Sequence, residues 1–309
     1  MGLIVLVLVP FLLLAAFAPG RAVAVVKTMH RTALFPSALQ NRHRSCSISE
    51  TWNLAIPDAQ STAKDRIAAQ SRLLKTEAGL SLFVTPSGQF WIPSRDAITL
   101  PEELAEQQRN VYGDSIRGVR AGDVVLDCGA NVGVYTRLAL SRGAKLVVAI
   151  DPAPTAIESL RRNFKNEIEN GRVIVYPKGV WNEEAILELT TGKTLATTAN
   201  SVAINRGDHG PSVQLTTIDA IVKELGLKQV DFIKMDIEGS EPQALQGGKE
   251  TISKFHPRMA VSLEHRRSDP DDLFAIVHRL WPSSQEDYGP CTNMNTSIQP
   301  DVLFVNWLR

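Results

Sequence analysis

Apolar positions open the chain as a block. Gly2 to Ala18 is uncharged and almost wholly apolar, and residues 21–59 then show no period and predict a linker. Residues 60–78 mix Ala, Lys, Arg and Glu with Ile67, Leu73 and Leu74, the pattern of an amphipathic helix. The β-rich runs Ser81–Thr85 and Gln89–Ile92 flank Pro86-Ser-Gly88 and predict a hairpin. Pro101-Glu-Glu-Leu104 opens another helix, with Pro in the first turn and acids at the positive end of its dipole. Residues 60–119 therefore read as a small cap.

From Asp123 the pattern changes to short β-branched runs alternating with helical stretches. Strands are expected at Val124–Asp127, Lys145–Ile150, Arg172–Tyr176, Ala185–Leu189, Asp231–Met235, Arg258–Leu263 and Asp301–Asn306. Helices are expected at Val132–Ser141, Pro154–Asn170, Ile218–Leu225, Glu241–Lys254 and Asp271–Leu280. Such alternation predicts an α/β, Rossmann-like domain over 120–309. Its mainly parallel seven-stranded sheet would carry helices on both faces. Ligands of such sheets bind outside the carboxyl ends of the strands, where the strand order reverses.

Composition narrows the partners more than the fold. The 309 residues carry 33 basic and 33 acidic side chains, so no polyanionic or nucleic-acid partner is expected for the folded body. Cys46, Cys128 and Cys291 are odd in number and widely spaced. They predict neither a disulfide framework nor a zinc site, and suit a thiol-reducing compartment. The run at 2–18 is at the lower edge of a bilayer span. Three readings of residues 1–20 and the basic stretch after them compete. The small residues at 16–18 and 22–24 resemble signal-peptide cleavage sites. Arg21, Lys27, Arg31, Arg42 and Arg44, with no acid between 21 and 49, suit a membrane anchor that leaves the body in the cytosol. The same acid-free stretch also suits an organelle transit segment. The anchor, with membrane association through residues 2–18, is the favoured expectation. Asn295-Thr-Ser297 matches a glycosylation acceptor.

The candidate chemistry lies at three strand ends. In Val124-Val-Leu-Asp-Cys-Gly-Ala-Asn-Val-Gly-Val134 a buried strand ends in Asp127, and Gly129, Ala130, Asn131 and Gly133 turn the chain into a helix. The G-x-x-x-G spacing lacks the middle glycine that lets a backbone approach a pyrophosphate, which argues against a dinucleotide. S-adenosylmethionine, which has no phosphate, does not need that glycine, and Asp127 would lie near its cationic methionine portion. Val147-Val-Ala-Ile-Asp151 ends a second strand in an acid 22 residues after Gly129. That is the offset of a carboxylate accepting from both ribose hydroxyls; capping of the following helix is the competing role. In Val230-Asp-Phe-Ile-Lys-Met-Asp-Ile-Glu-Gly-Ser-Glu241, Lys234, Asp236 and Glu238 alternate and share a face if the strand runs that far. An internal ion pair of Lys234 with Asp236 or Glu238 is the bland alternative.

Together Leu126–Gly133, Ala149-Ile-Asp-Pro-Ala-Pro154, Thr217-Ile-Asp219 and Phe232–Glu241 resemble the FkbM family of methyltransferases over about residues 121–265. The stretch K-x-D-x-E-G-x-E is the specific one; the glycine turn alone fits any class I methyltransferase. Asp151 stands where the family often has Glu. The resemblance implies a class I fold, S-adenosylmethionine as donor, and O-methylation of a small hydroxylated acceptor such as a sugar or natural product. On that reading Asp236 or His265 is the general base, and Lys234 positions a carboxylate. A divalent metal, if used, would be held by Asp236, Glu238 and His265. Trp181 borders the adenine or simply packs. Asp219 reads as a helix cap, Gly207–Pro211 as a loop carrying His209, and Cys128 as a core residue. A nicotinamide oxidoreductase and a non-catalytic scaffold are the rival functions.

Overall fold

A computed structural model describes residues 19–55, 61–192, 201–203, 207–294 and 297–307. The apolar run at 2–18 and Asn295-Thr296 of the glycosylation motif lie outside the described residues. Among the described residues no helix is long and apolar enough to cross a membrane.

The chain forms two compact units, Met1–Ser61 with Cys291–Gln299, and Thr62–Pro290 with Pro300–Arg309. The first corrects two expectations. The stretch expected to be a linker carries helices at Pro19–Gln40 and Ile48–Leu54. The second helix starts on a capping box: Ser47 Oγ accepts from the Glu50 amide, and Glu50 accepts from the Ser47 amide. The sequence signal for that box, Ser-x-x-Glu, is present and short. The cysteines are not all free either. Cys46 and Cys291 form a disulfide across 245 residues of sequence, inside a small core with Leu54 and Ile298. Cys128 is the free, buried cysteine.

The second unit begins with helix Ser61–Gln70 and an antiparallel meander, β1 (Arg72–Glu77), β2 (Leu80–Thr85) and β3 (Gly88–Pro93). The expected helix over 60–78 therefore stops at Gln70, and Leu73 and Leu74 lie exposed on β1. Helix Leu100–Gln108 follows, packing Leu100 and Leu104 with Ile67, Phe90, Ile92 and Val132. The cap is thus continuous with the main domain, and Asn163 clamps it by accepting from the Trp91 amide and donating to the Trp91 and Val132 carbonyls.

The remaining strands are β4 (Val124–Cys128), β5 (Leu146–Ile150), β6 (Val173–Tyr176), β7 (Gly179–Val180), β8 (Ala185–Gly192), β9 (Gly207–Thr216), β10 (Phe232–Met235), β11 (Arg258–Ser262), β12 (Ser284–Tyr288), β13 (Cys291–Asn293), β14 (Ile298–Pro300) and β15 (Val302–Trp307). Seven form one sheet in the order β12-β15-β11-β10-β4-β5-β6. All its pairings are parallel except those of β15, which runs antiparallel to both neighbours. The order turns back between β4 and β10, so the switch point lies over their carboxyl ends. Both faces of β4 are fully buried, which is why these strands read as unbroken apolar runs.

Three expected details fail. The strand at Ala185 is not in the main sheet; it pairs with β9 in a separate sheet ordered β7-β9-β8. The seventh main strand is β12, Ser-Gln-Glu-Asp-Tyr, a polar edge strand with no apolar alternation to betray it. Gly207–Pro211 is not a loop but the start of β9; the side chain of His209 is outside the described residues.

Candidate active site

A cavity lies over the switch point, lined by the turns after β4, β5, β10 and β11 and roofed by helix Leu100–Gln108 and Tyr112. Gly129 and Ala130 donate to the Ile150 carbonyl, which stitches the β4 turn to β5. Gly129 has φ +77°, and a Cβ there would overlap the Asp236 carbonyl oxygen, so only glycine lets the β4 and β10 ends approach. Gly133, at φ +89°, abuts the Phe164 ring, where a Cβ has no room. Asn131 also lies in the left-handed region, with its amide turned to Asp151 Oδ2 at 2.9 Å.

Asp151 lines the cavity, as Gly129, Ala130 and Asn131 do. Its Oδ1 accepts from the Ala153 amide at 2.9 Å. The carboxylate therefore stands at the mouth of the following helix and in the cavity at once; the two roles offered as alternatives are compatible. Asp127 departs from expectation. It is wholly buried and does not line the cavity. Its Oδ2 accepts from Thr136 Oγ1 at 2.6 Å, and Oδ1 lies 3.6 Å from Lys234 Nζ. Asp127 thus holds the turn from beneath rather than facing a ligand. Trp181 packs against Leu189, Val213 and Leu215 of the small sheet and is also absent from the cavity wall. Asp219 is a cap, but of another helix: it accepts from the Glu250 and Thr251 amides, while Thr217 caps its own helix.

Lys234 occupies the centre. Its Nζ donates to the Gly129 carbonyl at 2.8 Å and lies 3.4 Å from Asp236 Oδ2. The strand stops at Met235, and Glu238 takes φ +57°, so the expected alternation through Glu238 ends in a left-handed turn. Asp236 and Glu238 both line the cavity nonetheless. Tyr112 Oη donates to Asp236 Oδ2 at 2.8 Å. Behind them His265, at the end of β11, reaches three carboxylates: Asp236 at 3.3 Å, Glu241 at 3.2 Å and Glu238 at 3.4 Å.

The Methyltransferase FkbM domain model matches residues 127–288 of this sequence, more than half of the chain. This chain belongs to the FkbM methyltransferase family. Over 146 residues it is 29% identical to the 2-O-methyltransferase NoeI of Sinorhizobium fredii, covering 42% of this chain and 59% of that protein. The 31-O-demethyl-FK506 methyltransferase FkbM of Streptomyces tacrolimicus is 25% identical over 157 residues, 42% of this chain and 60% of its own length. The chain thus spans about three fifths of each curated relative. A crystal structure of a methyltransferase FkbM from Methylobacillus flagellatus KT overlaps 89% of this chain and 58% of its own at a TM-score of 0.49 and 18% identity. The FkbM match runs beyond 265, where the motifs in the sequence fade.

Charge in this FkbM domain is unbalanced. Burial would push Lys234 down, but Asp236 and Asp127 hold it above the usual lysine range. Burial would likewise raise Asp236; the Lys234 charge, the nearby His265 ring and the bond from Tyr112 hold it well below the usual carboxylate range. His265, which burial alone would lower, is lifted well above its ordinary value by Glu241, Asp236 and Glu238. Burial also raises three other acids of the cavity wall, Asp151 to about 6, Glu103 to about 7, and Glu264, facing Asp236, to about 8. Burial and the neighbouring Glu264 also push Glu106 well up.

Several of these groups carried no signal of their own. Glu103 sat in the first turn of a helix and read as a dipole partner; it accepts from Asn131 Nδ2 at 3.1 Å, inside the cavity wall. Glu106 and Tyr112 belong to a segment with no motif. Glu241 stood in the quoted stretch only as the start of a helix. It is wholly buried, and its Oε1 accepts from the Ile237 amide.

Proposed function

We propose that this chain is an S-adenosylmethionine-dependent O-methyltransferase acting on a small hydroxylated acceptor, sugar-like or natural-product-like. The observation that carries it is the placement of Asp151. Its carboxylate stands at the carboxyl end of β5, beside the open Gly129–Asn131 turn, in a cavity at the switch point. The cofactor residues are Gly129, Ala130, Asn131 and Asp151, with Asp151 accepting from the ribose. Asp127 and Gly133 serve the cofactor through the shape of the turn.

Methyl transfer is an in-line displacement. The acceptor oxygen bonds to the methyl carbon, the carbon–sulfur bond breaks with its electron pair left on sulfur, and the hydroxyl proton goes to a base. Holding the two reactants in line supplies much of the rate. Asp236 is the group to take the proton: it faces the cavity with a side chain about a quarter exposed, whereas His265 lies behind it at 5% exposure. A carboxylate held this acidic takes the proton only as the new bond forms. Lys234 and Tyr112 fix its orientation. The two relatives named as O-methyltransferases support the choice of oxygen, and the zero net charge supports a small acceptor over a nucleic acid.

The disulfide bears on location. A secretory or organelle route fits the Cys46–Cys291 bond better than the cytosolic placement expected from the basic flank, because cytosolic thiols stay reduced. The function is tested by incubating the intact chain with methyl-labelled S-adenosylmethionine and a panel of sugars and polyols. Label on an acceptor oxygen supports it; label on nitrogen alone would overturn the choice of oxygen.

A further inference from the structure

The ends of β10 and β11 bring three ligand atoms of two kinds together. Asp236, Glu241 and His265 each offer one, and all lie within 4.8 Å of one another. His265 Nε2 is 3.3 Å from Asp236 Oδ1 and 3.2 Å from Glu241 Oε1, yet it is aligned as a hydrogen bond to neither. Its side chain is 5% exposed, so no bulk water completes the geometry. Glu241 is wholly buried, and its Oε2 has no hydrogen-bond partner. A ring proton supplies one positive charge against three carboxylates, and Glu241 Oε2 still stays unmatched; a divalent cation in that proton's place would gather the nitrogen and both carboxylates.

The surroundings orient the set. Asp236 Oδ2 is taken by Tyr112 and Lys234, which leaves Oδ1 for the histidine side. His265 Nδ1 lies 3.4 Å from Glu238 Oε2. A proton kept on Nδ1 by that carboxylate turns the Nε2 lone pair toward Asp236 and Glu241, the arrangement that commonly backs a metal-bound histidine.

We propose that Asp236, Glu241 and His265 bind one divalent transition-metal cation, with Glu238 orienting the histidine. One imidazole nitrogen with two carboxylate oxygens suits first-row divalent ions. Neighbouring ligands on such an ion, each bonded at about 2.0–2.2 Å, sit about 3.0–3.4 Å apart, the spacing His265 already has to both carboxylates. The set differs from the one expected from sequence. Glu241 takes the ligand place given to Glu238, because the left-handed turn at Glu238 carries its carboxylate to the other ring nitrogen. Three protein ligands leave coordination positions open. Resting on the methyltransferase reading, the cation would sit behind the cavity-facing Asp236 and hold that carboxylate's orientation toward the acceptor.

The test is a Mn2+ titration of the intact chain followed by electron paramagnetic resonance, alongside Glu241→Gln and His265→Gln. S-adenosylhomocysteine binding and thermal melting report the fold of each variant. The expected result is one Mn2+ per chain with a nitrogen hyperfine coupling. The coupling should vanish in His265→Gln, and affinity should fall at least about tenfold in both variants. An intact chain that binds S-adenosylhomocysteine but no Mn2+ would overturn the cation site and leave the methyltransferase reading standing. Mn2+ held equally by both folded variants would overturn the site as well. Mn2+ bound at this site with no S-adenosylhomocysteine bound would sink the methyltransferase reading instead, and support the site.

Discussion

The two ends of the central strands β4, β10 and β11 differ in how their charges are matched. At the amino ends Arg258 meets Asp123 at 2.6 Å and donates to the Gly118 carbonyl. Asp123 also accepts from the Arg120 amide, and Asp231 accepts from the Val124 amide and from Gln229. Arg258 and both acids, Asp123 and Asp231, each have hydrogen-bond partners. At the carboxyl ends Lys234 and His265 face Asp127, Asp236, Glu238 and Glu241, and Asp127 Oδ1, Glu241 Oε2 and His265 Nε2 make no hydrogen bond. A sheet of this kind can be stabilised at one end and held ready for a ligand at the other. The unmatched groups mark the end that works.

The sharpest way to break this contrast is Asp236→Asn. It should lower methyl transfer by about 100- to 10,000-fold, as loss of a positioned base does, and lower the melting temperature as well, because the buried Lys234 loses a charged partner, while the folded variant keeps S-adenosylhomocysteine binding. Methyl transfer retained by the folded variant would mean that Asp236 is structural rather than the base. Arg258→Met tests the other end. It strands Asp123 and should cost about 3–5 kcal/mol of stability by chemical denaturation, with S-adenosylhomocysteine affinity unchanged in the folded protein.

Reducing the Cys46–Cys291 bond should cost about 2–4 kcal/mol, read as earlier unfolding of the N-terminal unit with the cofactor site intact. Mass mapping of the protein from its own cells should find the two thiols paired. The smallest effect is on pH. Asp151, Glu103 and Glu264 titrate near 6, 7 and 8 in the fold and near 4 when unfolded. Across that window the folded chain holds protons that the unfolded chain has released. The stability these groups give is full below about pH 4 and lost as pH rises through 6 to 8. The melting temperature of the ligand-free protein should therefore fall by at least about 2–4 °C between pH 5 and pH 8. A rise would show that these acids are ionised and paired.

The carboxyl end of the sheet was also the part most legible in the sequence. Val124–Gly133 and Val147–Asp151 announced themselves because parallel strands buried on both faces read as apolar runs, and a glycine turn needs glycine. What stayed hidden depended on contacts across distance. Glu103 reaches Asn131 from a helix whose acids looked like dipole partners. Glu241 was in plain view, but only the left-handed turn at Glu238 decides which carboxylate faces His265 Nε2. Asp127 sits on the strand end as expected, yet a register that turns it inward toward Thr136 and Lys234 leaves no trace in the residue pattern. The Cys46–Cys291 pair is invisible to spacing rules, and β12 is a polar edge strand without alternation.

The central claim, that the carboxyl ends of β4 and β5 hold the adenosyl cofactor, is tested most directly by calorimetric titration of the intact chain with S-adenosylhomocysteine, alongside Asp151→Asn. One-to-one binding is expected, weakening by at least about tenfold in the variant, whose amide can no longer accept from both ribose hydroxyls, with the variant still folded by its melting transition. A folded chain that binds no S-adenosylhomocysteine, or an Asp151→Asn variant that binds it as well as the parent, would contradict it.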